Sequence, residues 1–298
     1  MPDLHRCPAC SANRIVDLFR ARDYLVSGRE YLIRRCEACG MGWTADPPPE
    51  EEAGGYYLSG EYISHTDRKK NFSDHLYHLA RNYMLGRKHR LTTLVTGKHS
   101  GSLLDVGSGT GYYAAYMKER GWQVSAIEPN DQAREYSASH FSLSVTTPDR
   151  IEDFATGSFD CITFWHVLEH LYEPGQWLNE VRRLLKDDGR CIIALPNFSS
   201  ADAEWFGKRW AALDVPRHLW HFTPDAFQKF VGARGFNCER IVPLPLDLFY
   251  ISSLSYSNNG NRLPLARGVL TGLFIALRNL LRKEKASSLV YLISKGTV

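Results

Sequence analysis

The sequence predicts an α/β chain: a doubly wound sheet of mostly parallel strands with a small cysteine-stapled module in front of it. Three observations predict this. Short apolar runs alternate with amphipathic helical stretches between residues 102 and 195, the order that builds strand–helix–strand units. A glycine-rich turn, Gly107-Ser108-Gly109-Thr110-Gly111, closes the first of those runs, and two C-x-x-C pairs stand within the first forty residues. The composition agrees. With 298 residues, 44% hydrophobic and 23% charged, the chain supplies a large core, which excludes disordered and collagen-like classes.

Cys7-Pro-Ala-Cys10 and Cys36-Glu-Ala-Cys39 are separated by 25 residues. Each pair sits on a tight knuckle, and two knuckles can close a tetrahedral four-sulfur shell around one ion. We read Cys7, Cys10, Cys36 and Cys39 as ligands of a structural Zn2+; two disulfides or a redox pair are the competing readings. Residues 1–43 are then a zinc ribbon with strands over 14–19 and 30–35. So short a segment has too little core to fold unaided, and the metal supplies much of its folding free energy. Cys161, Cys191 and Cys238 lie in apolar runs and read as buried strand positions. Residues 44–71 hold Pro47-Pro48-Pro49-Glu50-Glu51-Glu52 and Tyr56, Tyr57 and Tyr62. They read as a stiff, solvated linker whose tyrosines pack on the next domain or edge a substrate.

The main domain covers 72–298. A lead-in helix is expected over 72–95, strands over 102–106, 123–127, 143–145, 159–164 and 190–195, and helices over 113–120, 131–139 and 175–185. Thr223 as N-cap and Pro224 behind it open a helix over 225–233. Strands over 236–242 and 288–293 finish a seven-stranded sheet, so 244–286 is an insertion between the last two. In such sheets ligands sit beyond the carboxyl ends of the strands, where strand order reverses.

The glycine turn lies at the first such end. Gly107, Gly109 and Gly111 let the chain turn sharply and bring backbone N–H groups close to a ligand. A dinucleotide fingerprint needs a glycine at 112, where this chain has Tyr. Glu128, at the end of the second strand, is placed to accept both hydroxyls of an adenosine ribose.

Leu104-Asp105-Val106 with the glycine turn, the acid at 128, Phe159-Asp160 and His166-Val167-Leu168-Glu169-His170-Leu171 resemble class I S-adenosylmethionine-dependent methyltransferases. Leu184-Leu185-Lys186-Asp187-Asp188-Gly189-Arg190 is similar to that family's L-K-P-G-G turn, with Asp-Asp in place of Pro-Gly. The resemblance runs from about residue 75 to the end and implies a Rossmann-like seven-stranded methyltransferase sheet. It implies that Asp105, Gly107 and the backbone around Ser108 hold the methionine part of S-adenosyl-L-methionine. Glu128 would then hold the ribose, with Pro129 and Asn130 beside it, while Trp165 and His166 face the reacting methyl.

Methyl transfer from a sulfonium asks the protein to align an acceptor and manage one proton, and histidine is the first candidate base. Candidates are His166, Glu169 and His170 after the fourth strand, and His218 and His221 in the segment Asp214-Val215-Pro216-Arg217-His218-Leu219-Trp220-His221 after the fifth. A structural reading stands beside each: His221 as part of a helix entry, His170 as a donor to a carbonyl, Glu169 as an orienter of a neighbouring His.

The net charge of +3 is uneven: residues 262–298 carry seven Lys/Arg against one Glu. Over 265–285 the basic Arg267, Arg278, Arg282 and Lys285 share one side of a helix. Ala266, Val269, Leu270, Leu273, Leu277, Leu280 and Leu281 share the other. Such a helix packs on its own domain, pairs two subunits as a homodimer, or lies on an anionic membrane. The N-terminus lacks the apolar run of a secretory signal, and the apolar stretch 268–277 is too short to span a bilayer. A reducing cytoplasm, or the inner membrane face, is the expected location.

Chains joining such a ribbon to such a domain resemble bacterial glycan and secondary-metabolite enzymes, whereas ubiquinone-type O-methyltransferases share V-L-E-H without the ribbon. The expected partner is a small-molecule acceptor, with O-methylation of a sugar or lipid-linked intermediate favoured. An rRNA or tRNA methyltransferase gripping RNA through the ribbon is an alternative. Residues 1–43 carry seven Arg against five acids, which is weak footing for phosphate binding. A protein that binds the cofactor without turnover is a third reading.

Overall fold

An antiparallel ribbon opens the computed structural model, which describes residues 5–57 and 72–296. Strand β1 (Ile15–Arg22) pairs with β2 (Glu30–Cys36), and β2 with β3 (Gly42–Thr44). The turn between β1 and β2 is tied by Asp23, whose carboxylate accepts from the amides of Leu25, Val26 and Ser27. Ile33, Met41 and Trp43 are buried and give the ribbon its small core. After β3 the chain makes one helical turn (Glu50–Ala53) and a 3-10 turn (Gly54–Tyr56). The rest of the expected linker, 58–71 with Tyr62, lies outside the described residues.

The main domain begins with α1 (Phe72–Thr96) and then alternates: β4 (Ser102–Val106), α2 (Tyr112–Lys118), β5 (Gln123–Ile127), α3 (Asp131–Phe141), β6 (Val145–Thr146), β7 (Phe159–Trp165), α4 (Pro174–Leu184) and β8 (Leu185–Pro196). There follow α5 (Ala201–Phe206), β9 (Trp220–His221), α6 (Pro224–Gly232), β10 (Phe236–Leu244), α7 (Asp247–Asn258), α8 (Pro264–Arg278) and β11 (Ser288–Lys295). The sheet order is β10-β11-β8-β7-β4-β5-β6, seven strands as expected. The five from β8 to β6 are parallel and β11 and β10 antiparallel. The central strands are buried on both faces, with Leu103, Leu104, Ile162, Phe164, Ile192 and Ile193 at 0% exposure, which is why they read as continuous apolar runs. Order reverses between β4 and β7, so the glycine turn after β4 opens onto the switch point.

Two expected elements differ. The strand placed at 143–145 pairs only as Val145–Thr146, because Leu143 is drawn into the core beside Ala114 and Ala126. The helix placed at 265–285 stops at Arg278: Asn279 caps it with both its amide and its side chain on the Ile275 carbonyl, the competition for backbone groups that ends helices at Asn. The Leu-rich side of α8 is also not its packed side. Gly268, Gly272 and Ile275 are buried. A Cβ at Gly268 would lie 2.5 Å from the Ser253 backbone, so α8 is seated on α7 through its glycines. Leu265, Leu270, Leu277 and Leu280 remain at least 66% exposed and Leu281 97%.

Asp160 anchors the amino-terminal ends of the central strands, opposite the switch point. Its carboxylate takes the Ser102 amide (2.8 Å) and hydroxyl (2.9 Å), Lys98 (2.6 Å) and Lys186 (2.8 Å), with 6% of its side chain exposed. Burial alone pushes this carboxyl up, but the two lysines and Ser102 outweigh it and hold it well below the usual range. Asp160→Ala is expected to cost about 3 kcal/mol, the loss typical of breaking a buried pair. Because the folded pKa is depressed, that stabilisation is complete above about pH 4 and fades as the pH falls below it. Urea unfolding of both proteins at pH 7 and pH 3 checks this; an equal gap at the two pH values rejects it.

Candidate functional site

The cleft starts at the glycine turn. Gly107 has φ +67°, and a Cβ there would strike the Val167 side chain at 2.4 Å, so only glycine fits. At Gly109, φ +55°, a Cβ would meet nothing within 4 Å, and the turn is open on that side. The turn is held from below: the Gly107 and Ser108 amides donate to the Ile127 carbonyl, and the Gly109 amide donates to Glu128 Oε2 at 2.8 Å. Glu128 Oε1 takes the Asn130 amide at 3.0 Å. Glu128 is 8% exposed, and burial raises its carboxyl, which the two amides partly counter. Asn130 caps α3 through the Ala133 amide. Asp105 lies beneath the turn, its Oδ1 accepting from the Thr163 hydroxyl at 2.7 Å. Burial lifts it to about 7, which Thr163 and Lys88 only partly offset.

A continuous cleft of about 760 Å³ runs from Val106, Gly107, Glu128, Pro129 and Asn130 past Trp165 and His166 to His170, Tyr172 and Arg217. Its outer wall is Pro48, Glu50, Ala53, Gly54, Tyr56 and Tyr57, from the segment after the ribbon. Tyr172 Oη donates to the Pro48 carbonyl, and Tyr57 Oη is 3.0 Å from His170 Nδ1. The tyrosines at 56 and 57 thus border the cleft as well as packing.

The structure gathers four of the five candidate proton-handling residues. His166 adopts φ +60°, a strained conformation for a non-glycine residue, and it points between two carboxylates. Its Nδ1 is 3.4 Å from Glu169 Oε1 and its Nε2 3.2 Å from Asp247 Oδ2, with 32% of the side chain open to the cleft. Burial pulls His166 down, yet Asp247 and Glu169 prevail and raise it to about 9. At neutral pH it holds its proton and donates. Glu169 is 1% exposed with neither oxygen hydrogen-bonded. His170 and His218 complete the group, their rings 4.6 Å apart. Burial, then His218, brings His170 down to about 4, so its ring is neutral.

His221 goes elsewhere. It sits in β9, which pairs with β3 through Gly42↔His221 and Trp43↔Trp220. Its Nε2 is 3.3 Å from Thr44 Oγ1, its ring is tilted over Phe198 at 5.3 Å, and burial brings it down to about 3. The ribbon is therefore fastened to the wall of the cleft: Thr44 donates from its amide to Leu219 and from its hydroxyl to the His218 carbonyl, and Thr223 donates to the Cys39 carbonyl. Thr223 also accepts from the Ala226 amide as the N-cap of α6. Arg217 is taken by Asp214, at 3.0 Å from its Nε, and lies 3.7 Å from Asp23 of the ribbon.

Two site residues escaped the sequence reading. Asp247 opens α7 directly after Leu246 (φ +78°), and only the folding back of the insertion brings it to His166. Lys88 stands 4.3 Å over the Trp165 ring, and burial brings it down to about 8 against the pull of Asp105 and Asp247. Its signal was legible: a cation on the buried side of α1, between Leu85 and Thr92.

In the ribbon, the four cysteine sulfurs lie within 4.8 Å of one another, with Cys7–Cys39 at 3.5 Å and Cys10–Cys36 at 3.6 Å. None is in a disulfide. The amides of Ala9 and Cys10 point at Cys7, and those of Ala38 and Cys39 at Cys36, as in a knuckle.

Residues 76–241 match a methyltransferase-domain family. The mitochondrial ubiquinone biosynthesis O-methyltransferase of Schizosaccharomyces pombe is 27% identical over 44% of this chain and 50% of its own length. The chain thus spans about half the length of such curated relatives. The 1,6-didemethyltoxoflavin N1-methyltransferase of Burkholderia thailandensis, solved with S-adenosylhomocysteine, superposes with a TM-score of 0.52 at 16% identity, covering 90% of this chain and 96% of that one. Magnesium protoporphyrin IX methyltransferase of Synechocystis PCC 6803, also with S-adenosylhomocysteine, gives 0.53 at 12% identity, covering 80% and 97%. These two likenesses establish the fold. With the family match covering more than half of its length, the chain belongs to the methyltransferase-domain family.

Proposed function

We propose that this chain moves a methyl group from S-adenosyl-L-methionine to a hydroxyl of a small-molecule acceptor, a sugar or a lipid-linked intermediate. One observation carries the reading: the space over the glycine turn and Glu128 continues without a break past His166 to Tyr57, Tyr172 and Arg217, so donor and acceptor share one cleft. The residues fit the nucleoside. Glu128 keeps lone pairs free for two ribose hydroxyls, and the buried hydroxyl of Ser108 has no partner of its own. Asp105 and the turn backbone would hold the methionine amino group. When bound, the cofactor supplies an activated methyl on a sulfonium. Trp165 and His166 line the cleft between the glycine turn and Tyr57, and the cleft wall would align the acceptor hydroxyl. The cofactor would supply the methyl and keep the S–C electron pair on its sulfur, and the acceptor's hydroxyl proton would pass to solvent or a neighbouring group.

The four cysteines fit Zn2+ in this reading. A tetrahedron of ~2.3 Å zinc–sulfur bonds has edges of ~3.8 Å, close to the sulfur separations seen. The ion would hold the ribbon that walls the acceptor half.

The exposed leucines of α8 favour a lipid-linked acceptor. Leu270, Leu273, Leu277 and Leu281 are uncovered, and Arg267, Arg278 and Arg282 flank them. An apolar face edged with cations complements an anionic bilayer surface. No helix among the described residues is long and apolar enough to cross a membrane. Full-length protein is expected to sediment with phosphatidylglycerol vesicles, and Leu277→Gln with Leu281→Gln to weaken this at least about tenfold. Equal binding by a 264–286 deletion would exclude the surface contact.

Incubation with methyl-tritiated cofactor and a lipid extract is expected to put label into the extract. Label in RNA alone would favour the nucleic-acid alternative, and cofactor binding without any transfer would leave a binding protein.

A further inference from the structure

Three side chains from two separate stretches of chain converge at the acceptor half of the cleft without satisfying one another: His170 lines it, and Glu169 and His218 lie buried beside His170. One carboxylate oxygen of Glu169 and one ring nitrogen each of His170 and His218 lie within 4.8 Å of one another. A fully buried carboxylate with no hydrogen bond bears the whole desolvation cost of its charge unless a cation stands against it. The protonated His166 ring stands 3.4 Å from Oε1 but is shared with Asp247 at 3.2 Å, and neither Glu169 oxygen receives a hydrogen bond.

The two other rings are oriented from behind. His170 Nδ1 is 3.1 Å from the Arg217 carbonyl and His218 Nδ1 is 2.8 Å from the Ala212 carbonyl. A carbonyl only accepts, so each Nδ1 carries the proton and each Nε2 is left with its lone pair. Tyr57 Oη is then a second acceptor for His170. Asp214, 3.8 Å from His218 Nε2, is already engaged by Arg217. A backbone carbonyl gripping one imidazole nitrogen is how a metal-binding histidine has its tautomer and direction set.

We propose that Glu169, His170 and His218 form a second metal site, separate from the four cysteines, for a divalent first-row transition-metal ion such as Zn2+. Two imidazoles and a carboxylate suit that class, and three protein ligands leave coordination positions open. His170 lines the cleft, so the open side adjoins the acceptor space. The consequence for chemistry rests on the methyltransferase reading: the acceptor would be a hydroxyl compound able to ligate the ion, which lowers the pKa of that hydroxyl.

The test is metal content of the full-length protein, saturated with ZnCl2, freed of unbound ion by gel filtration and measured by mass spectrometry. Wild type is expected to hold about two ions per chain, and Glu169→Gln and His218→Gln each about one, the cysteine-bound ion. Retention of the cysteine-bound ion in Glu169→Gln and His218→Gln reports that those variants still fold. One ion in saturated wild type, or two in both Glu169→Gln and His218→Gln, overturns the site. Calorimetry of wild type with S-adenosylhomocysteine separates the two readings: two ions without cofactor heat would leave the metal site standing and remove the methyltransferase.

Discussion

Cys36→Ser is expected to unfold the ribbon and damage the cleft with it. A closed four-sulfur site supplies folding free energy outright, and losing a ligand belongs among the mutations that cost above about 4 kcal/mol. For a chain of this size that is roughly 10 °C or more in Tm. The damage should spread because β3 is hydrogen-bonded to β9 and Thr44 holds the His218 and Leu219 backbone. Hydrogen exchange is the informative probe: the amides of Leu219 and Trp220 should lose protection along with those of β2 and β3, while those of β4 and β7 keep theirs. A variant that still binds zinc stoichiometrically and melts like wild type would refute the structural role of the metal. Protection lost in the ribbon alone would show that the cleft wall stands without it.

Glu128→Ala is expected to weaken S-adenosylhomocysteine binding by a hundredfold or more. A hydrogen bond to a charged group contributes about 1.5–3 kcal/mol, and this carboxylate would make two to the ribose. It also receives the Gly109 and Asn130 amides, so its removal loosens the turn as well as the ribose contact. Isothermal titration at pH 7.5 measures the loss. A change below about threefold would mean that the cleft holds something other than this nucleoside.

The parts of the site that were legible in the sequence share one property: their geometry is set by a few consecutive residues. The glycine turn, the Thr223-Pro224 helix entry and the two cysteine knuckles each take their shape from local backbone demands, and all are found where the residue order puts them. Alternation of apolar runs likewise revealed the central strands, because strands buried on both faces have nowhere to place polar side chains. The Leu-rich side of α8 misled for a related reason. Periodicity shows which residues share a side, but the packed side here is the one whose small residues let two helices approach.

The sequence by itself determined the winding of the sheet, the place of the glycine turn at its switch point and the grouping of four cysteines. Only the tertiary structure decided which histidines share a site. His218 and His221 are three residues apart, yet the first joins Glu169 and His170 while the second is sealed against the ribbon. The pairing of β9 with β3, the Leu219 amide on the Glu169 carbonyl and the Trp220 indole on the Leu171 carbonyl settle that choice. Asp247 reaches His166 across more than eighty residues. Contacts of this kind depend on how elements pack, a property of the assembled core that no local spacing encodes.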